Sequence, residues 1–269
     1  TLNGGAGSDS LSAGGSTGDN SLSGGDGNDS LDISGNSYSS TDSRSSGNNT
    51  LEGGAGNDSL SAGGSKGDNL LSGGDGNDSL DISGEYNNYY GSFYDSRSSG
   101  NNTLEGGAGS DRLSAGGSTG DNLLSGGDGN DSLTASSASG KNILKGGNGN
   151  DYLIGGNGND SLYGGTGTDT FAFNSFNEGV DTIYDFNATN ELIQVSAAGF
   201  GGGLSTASLK TSQFTIGTSA TTSNQRFVYD NITGALYFDL DGSAGTFTQV
   251  KFAQLSGGLS LTEKNFVLV

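Results

Sequence analysis

The sequence predicts an all-β fold, a parallel β-roll followed by a C-terminal β-rich capping region. Three observations predict it: a nine-residue unit recurs nine times, every copy carries an apolar residue at the same place, and the chain of 269 residues holds 53 glycines and no proline. A unit with one turn and one short strand cannot bury its own apolar side chain, so successive units must stack. We expect the roll at residues 1–172 and the cap at 173–269.

Each unit divides into a turn and a strand. The Gly-Gly-x-Gly half suits a tight turn with positive φ angles, and the x-Leu-x half suits a short strand with one inward side chain. Stacking such coils about 4.8 Å apart would align the leucines in columns and the aspartates along an edge. The units start at Gly4, Gly24, Gly53, Gly73, Gly106, Gly126, Gly146, Gly155 and Gly164.

The residue two places before each apolar position alternates between aspartate and asparagine. The leucine spacing alternates as well, between a longer step such as Leu11 to Leu22 and a shorter step such as Leu22 to Leu31, so one coil holds two steps and has two edges. We therefore predict an acid edge, formed by Asp9, Asp29, Asp58, Asp78, Asp111, Asp131, Asp151 and Asp169. The opposite, amide edge is formed by Asn20, Asn49, Asn69, Asn102, Asn122 and Asn142, and the alternation ends at Asp160.

Stacked carboxylates repel one another unless a cation lies between them. Ca²⁺ suits such an edge because it accepts six to eight oxygens from carboxylates and carbonyls, whereas Mg²⁺ prefers smaller octahedral sites. Eight stacked turns leave seven gaps, so we expect about seven Ca²⁺ ions or more. Neutral amides can bond to one another, so we expect no ion at the amide edge except beside Asp160. Folding should then be coupled to calcium binding.

The units GGAGNDSLS, GGDGNDSLD and GGNGNDYLI resemble the GGxGxDxUx nonapeptides of RTX (hemolysin-type) proteins, which leave the cell by type I secretion and fold as a β-roll around Ca²⁺. The resemblance implies that each ion takes aspartates from two stacked turns and carbonyl oxygens from the glycines between them. Besides the acid edge and Asp160, the implied ligands are Gly5, Gly7, Gly25, Gly27, Gly54, Gly56, Gly74, Gly76, Gly107, Gly109, Gly127, Gly129, Gly147, Gly149, Gly156, Gly158, Gly165 and Gly167.

The last hundred residues change in composition to aromatic and β-branched segments. Strands are predicted within residues 180–186, 191–195, 225–230, 235–242, 250–255 and 264–269. They would cover the open end of the roll. The region is similar to the RTX C-terminus: Asp181 and Asp185 match a DxIxDF segment and would bind one further ion, and the final residues resemble an uncleaved secretion signal. Asp239 and Asp241 are either further ligands or solvated turn acids.

Two insertions lengthen the amide-edge connections, at Asn36–Ser46 and Glu85–Ser99. Because they lie two coils apart, both should emerge from the same edge. They hold five of the ten tyrosines, Tyr38, Tyr86, Tyr89, Tyr90 and Tyr94. They are either tolerated surface loops or a contact or glycan-binding patch.

Composition excludes several functions. A net charge of −20 argues against nucleic acid as a partner, and the absence of cysteine and histidine excludes a Ser-His-Asp triad, a zinc-cysteine site and disulfides. No segment is apolar enough to span a membrane. We find no Ser-Lys arrangement either, and we expect no enzymatic activity in these residues.

The function predicted is that of an extracellular, calcium-binding structural protein that self-associates into a cell-surface layer or fibril. Its repetitiveness is similar in style to that of surface fibril proteins of gliding cyanobacteria. The alternative is the secretion and folding module of a larger RTX enzyme or cytolysin preceding Thr1, because Leu2 already holds a strand position within a coil. An ice-binding or adhesin module is the third reading, although the outward positions are too mixed for a flat threonine row.

Overall fold

The computed structural model describes residues 1–38, 41–89, 92–205 and 207–269. The protein is nearly all β and forms a parallel β-roll. In chain order, the strands of the roll are β1 (Leu2–Ala6), β2 (Ser10–Ser12), β3 (Asn20–Asp26), β4 (Ser30–Asp32), β5 (Ser37–Tyr38), β6 (Thr41–Asp42), β7 (Asn49–Ala55), β8 (Ser59–Ser61), β9 (Asn69–Asp75), β10 (Ser79–Asp81), β11 (Tyr86–Tyr89), β12 (Ser92–Asp95), β13 (Asn102–Ala108), β14 (Arg112–Ser114), β15 (Asn122–Asp128), β16 (Ser132–Thr134), β17 (Ile143–Asn148), β18 (Tyr152–Ile154), β19 (Ser161–Thr166) and β20 (Thr170–Phe173).

Each coil contributes one strand to each of two facing parallel sheets. The first sheet starts β1-β3-β7-β9-β13-β15-β17-β19, and the second starts β2-β4-β8-β10-β14-β16-β18-β20. Leu22 pairs with Leu51 in the first sheet, and Leu11 pairs with Leu31 in the second, so each apolar position stacks on its counterpart one coil away. The register therefore confirms the coil that the leucine spacing predicts.

The core is a narrow double column of leucines between the sheets. Leu51 and Leu71 in the first sheet and Leu60 and Leu80 in the second are fully buried. Burying such a side chain contributes about 2 kcal/mol, and the column repeats in every coil. The leucines hold the two sheets together and leave the two edges to be stabilised by polar groups.

The C-terminal region extends both sheets and then closes them. Its strands are β21 (Asp181–Ile183), β22 (Leu192–Val195), β23 (Ala207–Ser208), β24 (Phe214–Ile216), β25 (Phe227–Asp230), β26 (Ala235–Phe238), β27 (Val250–Gln254) and β28 (Phe266–Leu268), with one short helix, α1 (Ala197–Phe200), and 3-10 turns at Thr211–Gln213, Gly242–Ala244 and Glu263–Asn265. All six predicted strand segments contain a strand, whereas β23, β24 and α1 were not predicted. The helices of the described ranges are all too short to cross a lipid bilayer.

The transition from roll to cap is continuous. β19 pairs in parallel with β21, and β20 with β22, so both sheets cross residue 172 without a break. Beyond them, a cluster of phenylalanines including Phe200, Phe238 and Phe252 fills the space that the leucine column occupies in the roll. The division of the chain at residue 172 into a roll and a cap remains a prediction.

The two insertions meet and form a third sheet, in the order β11-β12-β5-β6. Tyr94 of β12 lies opposite Tyr38 of β5 in antiparallel register, which confirms that the insertions emerge from one edge. An ion pair between Arg44 and Asp95 joins them at 3.5 Å. Tyr90 of the predicted tyrosine patch lies outside the described residues, and the side chains of Tyr38 and Tyr89 are likewise not described.

Candidate metal centre

The acid edge lies where the chain turns from the first sheet into the second. At each turn, the glycines expected as ligands adopt positive φ, for example 111° at Gly25 and 125° at Gly27. A side chain could not follow this path, because a β-carbon on Gly27 would overlap the carbonyl oxygen of Gly7 one coil away. That oxygen accepts no hydrogen bond from the described residues. The turn therefore directs free carbonyl oxygens along the stack.

The aspartates form a continuous ladder through one carboxylate oxygen. The backbone N–H of Asp9 donates to Oδ1 of Asp29 at 2.8 Å, and that of Asp29 donates to Oδ1 of Asp58 at 2.7 Å. The pattern continues at 2.7–2.9 Å to Asp169, so the sequence-predicted acid edge is brought together as one row.

The second carboxylate oxygen has no partner. Oδ2 is buried in all eight acid-edge aspartates and in Asp160, and none of these atoms makes a hydrogen bond with the described parts of the chain. A buried carboxylate oxygen without a donor carries the full cost of its lost hydration. A row of such atoms therefore fits a cation that is bound by oxygen ligands.

The first glycine of each turn makes room for this oxygen. A β-carbon on Gly24 would overlap Oδ2 of Asp29 and lie 2.7 Å from the carbonyl oxygen of Gly53 in the next coil. The same pairing of a carboxylate oxygen with the next coil's carbonyl occurs at seven turns, those of Gly4, Gly24, Gly53, Gly73, Gly106, Gly126 and Gly146. The sequence pattern assigns no ligand role to this glycine, although its presence in all nine copies is a usable signal.

Burial perturbs the acid edge electrostatically. It raises the pKa of Asp78, Asp111 and Asp151 to about 6. The backbone hydrogen bond that each carboxylate accepts lowers the pKa, but by less than burial raises it. Neighbouring carboxylates of the ladder raise the pKa of Asp78 further. Among the described residues, no three acidic side chains converge on one point. A metal ion at this edge would therefore need backbone carbonyl oxygens in addition to the aspartates.

The amide edge lies at the opposite turn, where the asparagine side chains bond to one another. Nδ2 of Asn49 donates to Oδ1 of Asn69 at 2.8 Å and to the carbonyl oxygen of Gly47 at 2.6 Å. The side-chain ladder runs from Asn20 to Asn142 at 2.7–3.0 Å, as predicted for stacked neutral amides. Both Nδ2 hydrogens and the Oδ1 atom of an inner asparagine are thereby used.

Asp160 follows Asn142 in the ladder of the amide edge and replaces the amide with a carboxylate. Its Oδ1 accepts the backbone N–H of Asn142 at 2.6 Å, and its own N–H donates to Oδ1 of Asp181 at 3.0 Å. Both Oδ2 atoms face Gly155, since a β-carbon there would lie 3.0 Å from that of Asp160 and 2.6 Å from that of Asp181. Burial, and then the charge of Asp160, raise the pKa of Asp181 to about 8. A second pair of carboxylates is thus brought together on the other edge.

The expectation that Asp181 and Asp185 share one ion is not supported by their positions. Asp185 lies at the acid edge, where its carboxylate accepts the backbone N–H groups of Gly164 at 3.0 Å and Gly165 at 2.9 Å. It therefore closes the last acid-edge turn, whereas Asp181 belongs to the amide edge. A strand separates the two residues, and an extended chain of four residues spans about 13 Å.

The remaining candidates, Asp239 and Asp241, lie in the cap. Oδ2 of Asp241 accepts the backbone N–H groups of Thr246 at 2.9 Å and Phe247 at 3.0 Å. Its N–H in turn donates to Oδ1 of Asp239 at 3.3 Å. These contacts are those of an acid that organises a turn, but the buried Oδ1 of Asp241 has no hydrogen-bond partner among the described residues, so both readings of this pair stay predictions.

Comparison with known proteins identifies the repeats. A family profile described as RTX calcium-binding nonapeptide repeat (4 copies) matches residues 1–16, 15–32, 45–80, 98–133, 117–139 and 136–171, together more than half of the chain. The sequence has no match among curated proteins.

Two solved structures are similar to the chain. One is the solution structure of the AlgE6R3 subunit from the Azotobacter vinelandii mannuronan C5-epimerase, at 27% identity and a TM-score of 0.30, with 60% of this chain and 78% of that chain covered. The other is the crystal structure of the extracellular lipase LipA from Serratia marcescens, at 19% identity and a TM-score of 0.27, with 94% of this chain and 38% of the lipase covered. TM-scores this low carry no argument about function.

Proposed function

Because the chain belongs to the RTX calcium-binding nonapeptide repeat family, we propose that it is a secreted structural protein whose roll folds when Ca²⁺ occupies the acid edge. Family membership supports calcium binding and a β-roll, and the geometry of the edges supports which residues would hold the ions. Extracellular modules bind calcium at about 10⁻⁴ to 10⁻³ M, so the chain would fold after export from a calcium-poor cytosol.

The observation that carries the proposal is the row of unpartnered Oδ2 atoms at the acid edge. At seven of the eight turns, a β-carbon on the first glycine would overlap both this oxygen and a glycine carbonyl oxygen of the next coil, which matches the seven gaps between stacked turns. When bound, Ca²⁺ would neutralise the buried carboxylates and crosslink successive coils. The last member, Asp169, lacks a following repeat turn and lies beside Asp185.

We assign the ions to the acid-edge aspartates and to the glycine carbonyls of the turns. One further ion would lie at the amide edge, held by Asp160 and Asp181 at the turn of Gly155 to Gly158. No ion is expected between Asn20 and Asn142, because the amides there already satisfy one another. The ion count would therefore be about eight, with a strong bias to one edge.

The repeat pattern further supports assembly into an extracellular surface layer or fibril. Nearly identical double coils start at Gly4, Gly53 and Gly106, so the roll presents the same rows of side chains at regular intervals. Regular spacing is what a lattice of identical subunits requires. Electron microscopy of the calcium-loaded protein should show ordered assemblies, and a protein that stays monomeric at high concentration in calcium would argue against this part of the proposal.

Calcium titration tests the folding proposal. The protein in chelator should show little β-structure by circular dichroism and should gain it cooperatively as CaCl₂ is added, whereas MgCl₂ should not replace calcium. Crystals grown in calcium should show anomalous scattering along the acid edge and beside Asp160. Full β-structure in chelator would contradict coupled folding, and an ion between Asn49 and Asn69 would contradict the assignment of the edges.

A further inference from the structure

A groove of about 460 Å³ lies on the amide edge, between the second insertion and the two coils that follow it. The insertion contributes Glu85, Tyr86 and Asn87 to one wall. The return segments of the coils contribute the exposed side chains of Thr119, Ser137 and Ser139 to the other. The acid-edge aspartates are not among its lining residues, so it is separate from the calcium sites proposed above.

The aromatic ring in the groove is held in place. Tyr86 remains 48% exposed, and the guanidinium carbon of Arg97 lies 4.8 Å from its ring centroid. Asp95 fixes that guanidinium through Nε at 3.0 Å and Nη2 at 3.2 Å. Nη1 of Arg97 donates no hydrogen bond within the described residues. The groove therefore combines a preoriented aromatic ring with a guanidinium that is held in place beside it.

Ser137 provides a second, independent observation. Its φ of 61° makes it the one non-glycine residue with positive φ among the described residues. Three other coils have glycine in the corresponding turn, Gly15, Gly64 and Gly117, with φ of 75°, 77° and 70°. A serine in this conformation is strained, and strain of this kind is concentrated at functional sites. The replacement of glycine places a hydroxyl on the wall of the groove.

We propose that this groove binds a neutral oligosaccharide. A sugar ring offers a face of C–H groups to an aromatic ring and hydroxyl groups to its surroundings, and the groove offers Tyr86 together with carboxylate, amide, guanidinium and hydroxyl partners. The positive charge of Arg97 is balanced by Asp95, and Glu85 adds a negative charge, so an anionic ligand gains nothing here. Apart from Tyr86, no large apolar side chain lines the groove among the described residues, which disfavours a lipid or an apolar peptide.

Binding should be measured on the full chain in saturating calcium, with the fold first verified by circular dichroism. The probes are neutral hexasaccharides of glucose, mannose and galactose, titrated by calorimetry and by NMR. At least one should bind with a Kd in the micromolar to millimolar range. Tyr86→Ala should weaken that binding about tenfold or more, and Tyr86→Phe should retain most of it.

Two further variants separate recognition from stability. Ser137→Gly removes the hydroxyl and relieves the strained backbone, so it should bind the sugar more weakly while its calcium-loaded fold is at least as stable. Tyr184→Ala removes a tyrosine that is 52% exposed on the first sheet, stacked on Tyr163, and should leave binding unchanged. The proposal is overturned if no hexasaccharide binds at millimolar concentration or if Tyr86→Ala binds as well as the unmodified chain. Either result would leave the calcium titration, and hence the proposed function, unaffected.

Discussion

The acid edge and the amide edge are the two turns of the same coils, and the Asp and Asn of their ladders differ in a single side-chain atom. At the amide edge, Nδ2 of Asn69 donates to Asn102 at 2.7 Å and to Gly67 at 2.7 Å. At the acid edge, the equivalent atom is Oδ2, which can only accept, and it has no donor among the described residues. Exchanging an amide nitrogen for a carboxylate oxygen thus converts a self-sufficient ladder into one that requires a cation.

A third column shows how the same roll accommodates carboxylates that are exposed. The exposed residues next to the amide ladder include both acids and amides. Oδ1 of Asp68 accepts the backbone N–H of Asn101 at 2.7 Å, and Oδ1 of Asn101 accepts that of Asp121 at 2.9 Å. Water solvates the remaining oxygen of each exposed aspartate. In this column each aspartate is followed by an asparagine or a lysine, so no exposed carboxylate lies directly on another.

Among the tests of the difference between the two edges, acidifying the metal-free protein should have the largest effect on stability. Burial raises the pKa of Asp78, Asp111 and Asp151 to about 6 in the folded chain, whereas an unfolded aspartate titrates near about 3.9. The folded state therefore binds protons more tightly, and the metal-free fold gains stability as pH falls from about 7 to about 4. The pKa of Asp181 is raised to about 8, so the pH range in which the metal-free fold gains stability begins higher at this residue.

Circular dichroism of the chelated protein across that pH range checks this prediction. β-structure should increase towards low pH without calcium, while calcium affinity should decrease, because the ligands must be deprotonated. Hydrogen bonds from Arg44 and Lys66 lower the pKa of Asp42, so the stability that this carboxylate contributes is lost only below the window. A chelated protein that loses structure between about pH 7 and 4 would contradict the burial argument.

Removing one side-chain amide from the amide edge should have the next largest effect on stability. Asn102→Ala deletes the bonds to Asn69, Asn122 and Gly100 and leaves their buried partners unsatisfied. We expect a loss of about 3 kcal/mol in the free energy of unfolding. Because no ion is involved, the slope of that free energy against the logarithm of calcium concentration should not change.

The matched control is the neighbouring, exposed residue. Asn101→Ala removes one solvent-exposed contact, to the backbone of Asp121, and should cost about 0.5 kcal/mol or less. Chemical denaturation at several calcium concentrations measures both quantities. A calcium-dependent slope that falls in Asn102→Ala would show that an ion also binds at this edge.

The edges could be predicted from the sequence because the repeat encodes register. The fixed alternation of a longer and a shorter leucine step places every Asp above another Asp, and the structure reproduces this from Asp9 to Asp169. The six predicted cap segments are also strands, since their alternating apolar residues pack on the end of the leucine column. Periodicity therefore determines the fold and the identity of the candidate ligands.

The features that the sequence does not predict depend on contacts that do not recur regularly along the chain. The pairing of β5 with β12 joins insertions that lie two coils apart and differ in length, so no fixed period encodes it. The separation of Asp181 from Asp185 follows from the strand between them, whereas the DxIxDF motif suggested one site. The role of Gly24 and its equivalents depends on a contact between coils, because their small size matters only once Asp29 and Gly53 are in place.

The smallest expected effect, and the sharpest test of the difference between the edges, comes from Asp78→Asn. The change gives the acid edge the atom that makes the amide edge self-sufficient, so it should stabilise the metal-free chain and destabilise the calcium-loaded one. Because Asp78 borders two gaps of the row, losing its carboxylate should cost about 1–3 kcal/mol in saturating calcium and lower the slope of the free energy of unfolding against the logarithm of calcium concentration. Asp75→Asn, an exposed acid in the same turn, should change neither quantity by more than about 0.5 kcal/mol. If Asp78→Asn retains the full dependence of the unfolding free energy on calcium concentration, Asp78 is not a ligand. Some interaction other than calcium binding must then compensate for the burial of its Oδ2 atom.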